Sequence, residues 1–597
     1  MTATTNDFSI HVATVNGSGS QTANTTLLRA IFQMGVPVSG KNLFPSNIAG
    51  LPTWFTIRVS EEGYLARTRR NDVLVAMNPE TSLEDIAAMG PGSILILSEG
   101  VPVPAIPADR TVYKIPFNKL VEPLVQDAKL RKLVVNMVYV GVVCHILGLD
   151  AQEVDRALTG QLGKKPKALD MNRAAVNAGA EYAVQNLKPA PFGVERRNKT
   201  AGKILIEGNQ AGALGALFGG VTFLSWYPIT PSSSLAESLQ MYLERYRRDP
   251  QTKEATFAII QAEDEIAAIG MVLGASWTGA RAMTTTSGPG LSLMTEFTGF
   301  AYYAEIPAVI WDIQRVGPST GLPTRTSQAD LLSTVFMSHG DTKHIVLLPA
   351  TVEDCFTFGT RAFDLAERFQ TPVFVLSDLD IGMNTWMSDP FHYPEKTWDR
   401  GKVLDAAALA KMPKFERYRD VDGDGIPYRT LPGTDHPLAG YFTRGSGHDE
   451  RAFYTENPET YKRVLDRLAK KYETARAEVP PPWIERVPGA KIGVLGFGSS
   501  HWGIVEARDR LAEDGLKTHY LLLKAIPFSP EVKSFIEACD KVYVVEQNRD
   551  AQMASLLKME YPELATKLRS ILHYDGLPID AQSILDQVAE REGVLAR

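Results

Sequence analysis

Several stretches of this chain have residue types and spacing suited to chemistry on a small anion. The first is Tyr227-Pro228-Ile229-Thr230-Pro231-Ser232-Ser233-Ser234, which follows an apolar run from Gly220 to Trp226. Behind it Leu235, Leu239, Leu243 and Tyr246 recur at helical spacing. Thr230 can cap that helix, Pro231 fits its first position, and Glu237 can close a capping box with Ser234. A strand, a hydroxyl-rich turn and a helix start make either a plain helix N-terminus or an anion site, because unpaired N–H groups and the helix dipole attract negative charge.

Glu263-Asp264-Glu265 opens a second helix, whose small and apolar continuation to Gly274-Ala275 reads as buried. Acids in a first turn often only complement the dipole. One that leads into a buried helix is costly to ionise without a partner, which makes it a candidate functional carboxylate. Ser287-Gly288-Pro289-Gly290 is a backbone-exposing turn ahead of another helix. Arg315 lies just past the apolar run Ala308–Asp312, where a guanidinium could grip a carboxylate bidentately or simply be solvated; Thr320 and Thr324 follow on the same loop. Near the N-terminus, Gly17-Ser18-Gly19-Ser20 follows the run Phe8–Val15, as a tight turn or as the seat of a phosphate-bearing or adenosine ligand.

Asp420-Val421-Asp422-Gly423-Asp424-Gly425 resembles the start of a calcium loop, but Leu431 stands where the bidentate glutamate belongs. A structural turn is the expectation, with weak divalent-cation binding as the alternative.

The elements that must position these residues alternate strand and helix. Expected strands are Phe8–Val15, Trp54–Val59, Asp72–Met77 and Ser93–Leu97, then Ile204–Glu207, Val221–Trp226, Phe257–Gln261, Arg281–Thr285, Ala308–Asp312, Ile345–Leu348 and Val373–Leu376, and finally Ile492–Leu495, His519–Leu523 and Val542–Val545. The fold class is therefore α/β, three doubly wound domains in series, with a largely parallel sheet covered on both faces expected in the second. The boundaries fall at 1–190, 200–400, an extended connection 401–487 with one helix near Tyr461–Ala477, and 488–597. A shift to Lys, Asn, Ala and Pro between Gly160 and Thr200 marks the first of them.

The 597 residues suit three or four domains at roughly 150 residues each. The chain is 44% apolar and 22% charged, an ordinary globular balance. A net charge of −7 gives no electrostatic reason to expect nucleic acid or an anionic membrane as partner. Met1–Ser9 has no signal-peptide pattern, and the apolar run Leu133–Leu149, broken by Asn136, Gly141 and His145, reads as a buried helix rather than a span. Cys144, Cys355 and Cys539 offer neither CxxC spacing nor a disulfide framework, which fits a reducing cytoplasm and argues against an iron–sulfur cluster on this chain.

Taken together, Gly208-Asn209-Gln210-Ala211, Tyr227–Ser233, Glu263–Ala268, Ser287–Gly290, Gln314–Thr320, Ile526–Phe528 and Val544–Arg549 resemble the α subunit of a 2-oxoacid:ferredoxin oxidoreductase with the γ domain fused at its N-terminus, over nearly the whole chain. The wording around Ser234–Glu237 and Gly317–Thr324 is most similar to the 2-oxoglutarate enzymes. The resemblance implies a γ domain related to coenzyme A, a thiamine diphosphate pyrimidine-binding domain and a transketolase C-terminal-like domain. It implies that Glu265 hydrogen-bonds the aminopyrimidine ring, with Pro228, Ile229, Ser287 and Gly288 around the cofactor. Thr230, Arg315, Thr320 and Thr324 would meet the 2-oxo acid. Gly17, Ser18, Gly19 and Ser20 would meet coenzyme A, although the family's usual Gly-x-Gly-Gly-Gln-Gly is altered here; Lys41–Asn47 could contribute. A separate β subunit is expected to carry Mg2+ and a [4Fe-4S] cluster, with ferredoxin as electron carrier and an (αβ)2 assembly. The alternatives are the same reaction on pyruvate or a branched-chain 2-oxo acid, or a non-catalytic coenzyme A- or nucleotide-binding scaffold.

Overall fold

The structure is a computed structural model that describes residues 4–45, 50–188, 190–395 and 397–593. Its centre is a seven-stranded sheet in the order Ala258–Gln261, Phe223–Trp226, Ala282–Thr286, Ala308–Gln314, Pro372–Asp378, Ile345–Leu347, Ala525–Ile526. The first six strands are parallel, and the last, lent by the C-terminal domain, is antiparallel. Ala308–Gln314 and Pro372–Asp378 are buried at every position, which is why they read as continuous apolar runs without alternation. From Phe223–Trp226 the chain first goes to the strand on one side, then crosses back to Ala282–Thr286 on the other. That reversal opens a crevice at the carboxyl ends of those two strands, where open α/β sheets bind ligands.

The N-terminal sheet has eight strands: Thr111–Ile115, Ile94–Ser98, Val73–Ala76, Asp7–Val15, Pro52–Ser60, Val38–Leu43, Thr385–Ser388 and Ile204–Glu207. Val38–Leu43 pairs antiparallel with Pro52–Ser60 and was not expected as a strand. Ile204–Glu207, expected in the central unit, instead pairs antiparallel with Thr385–Ser388, which in turn meets Val38–Leu43 at Gly40. The two domains therefore share one sheet. The expected buried helix is Ala128–Leu147, long and apolar enough to cross a membrane by length and composition, and here packed inside the N-terminal core with Pro166–Asn186 beside it. The C-terminal sheet runs Trp483–Glu485, Thr518–Leu523, Ile492–Phe497, Lys541–Glu546, Leu568–Leu572, parallel except for its first strand.

The connection contains the helix Pro458–Ala475. In the calcium-like loop the Lys402 ammonium sits 2.6 Å from Asp422, 2.9 Å from Asp424 and 3.0 Å from the Ile426 carbonyl, while Asp420 caps the turn's amides. A lysine of the chain itself thus takes the position a cation would need, and the turn is structural.

The connection is pinned to the central domain through Glu305, which follows the helix Gly288–Ala304. Glu305 is fully buried and accepts two hydrogen bonds from Arg467, at 3.0 and 2.7 Å, and one from Lys471 at 2.7 Å. Burial alone would raise its carboxyl, but the two cations outweigh that and hold it below the usual carboxylate range. Removing one partner of such a cluster strands buried charge. Glu305→Ala is expected to cost about 3–5 kcal/mol, read as an earlier first transition in calorimetry and faster proteolysis of the connection.

Candidate active site

Thr230 lies past the end of Phe223–Trp226, at the crevice. The helix behind it begins at Ser233, not at Pro231, so Thr230 is not its cap. The serines are committed elsewhere: Ser232 and Ser233 donate to the Ile229 carbonyl, and the Ile229 amide donates back to Ser233 Oγ at 3.0 Å. Such local bonds compete with helix start. Among the described residues no Glu237 bond closes a capping box, and Glu237 is exposed. Asn209 Nδ2 holds the turn from below, donating to the Pro231 carbonyl at 3.0 Å and to Ser234 Oγ at 2.8 Å. Pro228 is exposed and Ile229 and Thr230 are half-buried, which leaves them available to a ligand.

Arg315 directly follows the strand Ala308–Gln314 and is buried; its Nη1 donates to the Thr230 carbonyl at 2.7 Å. The two residues assigned to the 2-oxo acid are therefore joined. Burial disfavours the Arg315 charge, and Asp330 and Asp312 oppose that effect. Asp312 and Asp330 lie beside Arg315 and beside each other, and burial together with the Asp330 charge pushes the Asp312 carboxyl well above the usual range. Neither aspartate was singled out in the sequence, where Asp312 reads as the tail of an apolar strand.

Glu265 opens the helix Glu265–Trp277, Asp264 caps it by accepting from the Ala267 amide at 2.7 Å, and Glu263 is exposed outside it. The Glu265 side chain is buried, and its carboxylate accepts no hydrogen bond from the described residues. It rests over Gly290, where a Cβ would lie 2.8 Å from Glu265 Cγ and 2.0 Å from Thr286 Oγ1; only glycine fits there. Ser287, at the next strand end, stands at the N-cap position of the helix Gly288–Ala304 but spends its hydroxyl on the Ile313 carbonyl at 2.9 Å, while Gly288 lies against the Asp330 carboxylate. Glu265, Ser287, Gly288, Thr230 and Arg315 thus come from adjoining strand ends at one crevice. The floor suits the aminopyrimidine of thiamine: a buried carboxylate without a protein partner, beside backbone kept bare by glycine.

The N-terminal turn lines a different space. Gly17, Gly19 and Ser20 border a cavity of about 540 Å³ between the N-terminal and central domains; Ser18 is not on its wall. Gly19 is left-handed (φ +83°) and abuts the Leu133 carbonyl, a place closed to a side chain. Asn136 and Tyr139 of the buried helix hold the turn and its helix, bonding the Ser18 carbonyl at 2.6 Å and Asn24 at 2.7 Å. Glu207 faces the same cavity, and burial pushes its carboxyl up to about 7. It stands just before Gly208-Asn209-Gln210-Ala211 and was passed over as a strand end. A second cavity of about 320 Å³, sharing Asn42, Trp54 and Asn384 with the first, lies where all three domains meet and is lined by Lys41, Arg67, Arg69 and Thr324. Ser46 and Asn47 lie outside the described residues. Thr324 is buried there, whereas Thr320 sits on the exposed tip of its loop, apart from the buried Arg315.

The family model for pyruvate flavodoxin/ferredoxin oxidoreductase, thiamine diphosphate-binding, matches residues 214–412, and that for pyruvate ferredoxin/flavodoxin oxidoreductase matches 9–182. The chain is 31% identical to 2-oxoacid:ferredoxin oxidoreductase 1, subunit alpha, of Aeropyrum pernix, over 98% of this chain and 97% of that one. It is 36% identical to 2-oxoglutarate synthase subunit KorA of Methanothermobacter thermautotrophicus, over 58% and 87%. The solved 2-oxoglutarate:ferredoxin oxidoreductase from Magnetococcus marinus, with 2-oxoglutarate, coenzyme A and succinyl-CoA bound, superposes with a TM-score of 0.88 at 30% identity, covering 98% of this chain and 99% of that one.

The acid pair at Arg315 has a measurable signature. Burial raises the Asp330 carboxyl from its ordinary 3.8 to about 6, against the influence of the neighbouring Asp312 and the Arg315 charge. A carboxyl raised on folding favours the native state at low pH, and that contribution is lost as pH rises through its folded value. Asp330→Asn escapes the loss, so its thermal midpoint relative to the wild type is expected to rise between pH 4 and pH 6 and level off above. Parallel midpoint curves would contradict this.

Proposed function

Because the chain belongs to the 2-oxoacid:ferredoxin oxidoreductase family, as the α subunit of such an enzyme, we propose that it acts with a β subunit to interconvert 2-oxoglutarate and coenzyme A with succinyl-CoA and carbon dioxide, using ferredoxin as electron carrier. One observation carries this reading: Arg315, Thr230 and Glu265 converge at the strand ends of a single crevice. The names of the KorA relative and of the Magnetococcus marinus enzyme support 2-oxoglutarate as substrate. The matched family descriptions favour a second reading, pyruvate, with branched-chain 2-oxo acids in the same class. A non-catalytic scaffold leaves that convergence without a purpose.

Thiamine diphosphate, when bound, supplies the carbon nucleophile and the electron sink for decarboxylation. Glu265 would hold its aminopyrimidine ring and take or return a proton at the ring nitrogen. Pro228, Ile229, Ser287 and Gly288 would border it. Arg315 grips the carboxylate of the 2-oxo acid while the Thr230 hydroxyl orients the keto end. Burial of the guanidinium strengthens that attraction, since charge is screened less away from water. The resemblance assigns Thr320 and Thr324 to the substrate as well, but Thr324 lines the second cavity and Thr320 stands exposed, apart from Arg315. Gly17, Gly19, Ser20 and, nearby, Ser18 would border coenzyme A in the cavity that also holds Glu207.

The β subunit is assigned the Mg2+-diphosphate site and the [4Fe-4S] cluster, within an (αβ)2 assembly. The half-open crevice supports such a partner: Ile266 is 43% exposed one residue after Glu265, and Met271 is 39% exposed on the same helix. All three cysteines are unpaired and buried, in keeping with a cytoplasmic enzyme.

Co-expressed αβ complex is expected to reduce a viologen dye with 2-oxoglutarate, dependent on coenzyme A, and to prefer it over pyruvate and branched-chain 2-oxo acids. Turnover by the α chain alone, or a preference for another acid, overturns the reading. Arg315→Ala removes hydrogen bonds to a charged group, so KM for the 2-oxo acid is expected to rise roughly tenfold to a hundredfold while thiamine affinity holds. Equal loss of both would place Arg315 in the fold or the cofactor site.

A further inference from the structure

We propose that the C-terminal domain is a specificity-determining part of the substrate pocket, acting through a buried clamp between Gln328 and Gln547. The inference rests on the function proposed above. The loop between Arg315 and Asp330 begins and ends at the substrate guanidinium, yet a large part of what fixes it lies in another domain. Gln328 is fully buried and Gln547 and Asn548 nearly so. The Gln328 amide donates to the Gln547 carbonyl at 2.8 Å, and the Gln547 amide donates back to Gln328 Oε1 at 3.0 Å. Gln328 Nε2 donates to the Phe497 carbonyl at 3.1 Å, and Asn548 Nδ2 donates to the Gln328 carbonyl at 3.1 Å. Gln547 is itself held at both ends of its side chain, by Ser499 Oγ at 2.6 Å and the Ile579 amide at 3.0 Å.

The bonds on either side extend the clamp. The Thr326 amide donates to the Gly576 carbonyl at 3.0 Å, and Gln552 bridges the Ala329 carbonyl and the Leu332 amide at 2.7 and 2.9 Å. The loop's own domain contributes the Gln314 side chain, which accepts from the Asp330 amide at 3.1 Å. The loop's tip is closed on itself by the Val316 amide to the Arg325 carbonyl and the Leu322 amide to the Val316 carbonyl, both at 3.0 Å, while the stretch from Thr326 to Ala329 has no such internal pairing and is placed by the buried amides of the third domain. Buried amide groups with donors and acceptors all matched tolerate little displacement. Gln328 and Gln547 are positioning residues: they touch no reacting atom, but they place the loop that carries Thr320 and Thr324 and the Asp330 charge that faces Arg315. Displacements on the order of 1 Å at a site can change rates about a hundredfold.

The test is Gln547→Ala in the αβ complex, assayed with 2-oxoglutarate and pyruvate, with thiamine affinity and amide hydrogen exchange measured alongside. The preference for 2-oxoglutarate, as the ratio of kcat/KM values, is expected to fall roughly tenfold, mainly through KM, with thiamine affinity retained. Exchange is expected to quicken at Val316–Gln328 and stay slow in Ala308–Gln314. An unchanged preference with unchanged exchange overturns the proposal, as does equal loss on both acids together with thiamine binding. If Gln547→Ala does not fold, Gln552→Ala, half-exposed and cutting two bonds to the same segment, decides by the same criteria. Should the wild-type complex turn over no 2-oxo acid, the proposed function fails; the exchange comparison still judges the clamp.

Discussion

Burying one guanidinium constrains much of this molecule. Arg315 lies at the carboxyl edge of the central sheet with its charge largely out of water, which is costly unless the surroundings answer it. They answer in two ways. The Thr230 carbonyl takes one N–H directly, and Asp330 and Asp312 favour the guanidinium charge from close by. Two ionised carboxylates would be worse than one, because the second must overcome both burial and its neighbour. With Asp312 pushed towards its neutral form by burial and by Asp330, the pair offsets the Arg315 charge less than two carboxylates would, leaving the guanidinium attractive to an anionic ligand. Thr230, Arg315 and Asp330 come from three segments, so the position of each depends on how the others are held.

That dependence explains why the domains are joined as they are. The N-terminal sheet continues through Thr385–Ser388 into Ile204–Glu207, so the strand before Asn209 is fixed in the same lattice of backbone bonds as the N-terminal domain. Asn209 then secures the turn that carries Thr230. Lys41, over the Trp386 ring at 3.8 Å and 2.6 Å from Asp380, ties the same seam by charge. On the other side, Ala525–Ile526 of the C-terminal domain completes the central sheet. Backbone pairing across both boundaries leaves little freedom for hinge motion between the domains.

The sequence carried the local part of this well. Continuous apolar runs marked the buried parallel strands within one or two residues at each end, and the strand-end loops held most of the proposed site. What it could not carry was long-range or conditional. Val38–Leu43 contains Ser39, Gly40, Lys41 and Asn42, too polar to read as a strand, and exists because strands flank it on both sides. The helix at Ser233 starts late because two hydroxyls turn back to Ile229, a choice that propensity does not decide. Asp312 and Asp330 are separated in sequence and acquire their role only when the loop closes. Gln328 and Gln547 are more distant still, and nothing local distinguishes them from ordinary polar residues. Lys402 resolves the calcium-like loop from outside its motif.

The helix Glu265–Trp277 raises a different point. It is apolar nearly all the way round, which in a globular protein belongs to a helix covered on every side. In this chain one side is bare, with Ile266 and Met271 exposed beside the exposed edge strand Ala258–Gln261. Glu265, at the first turn of that helix, is already buried by Gly290 and Thr286 and has no protein partner among the described residues. A carboxylate readied in this way at the margin of an uncovered apolar face is one wall of a site. A second apolar surface set against Ile266 and Met271 would also lower the dielectric around the neighbouring Glu265. Burial of that apolar face and a lower dielectric around Glu265 would therefore come together.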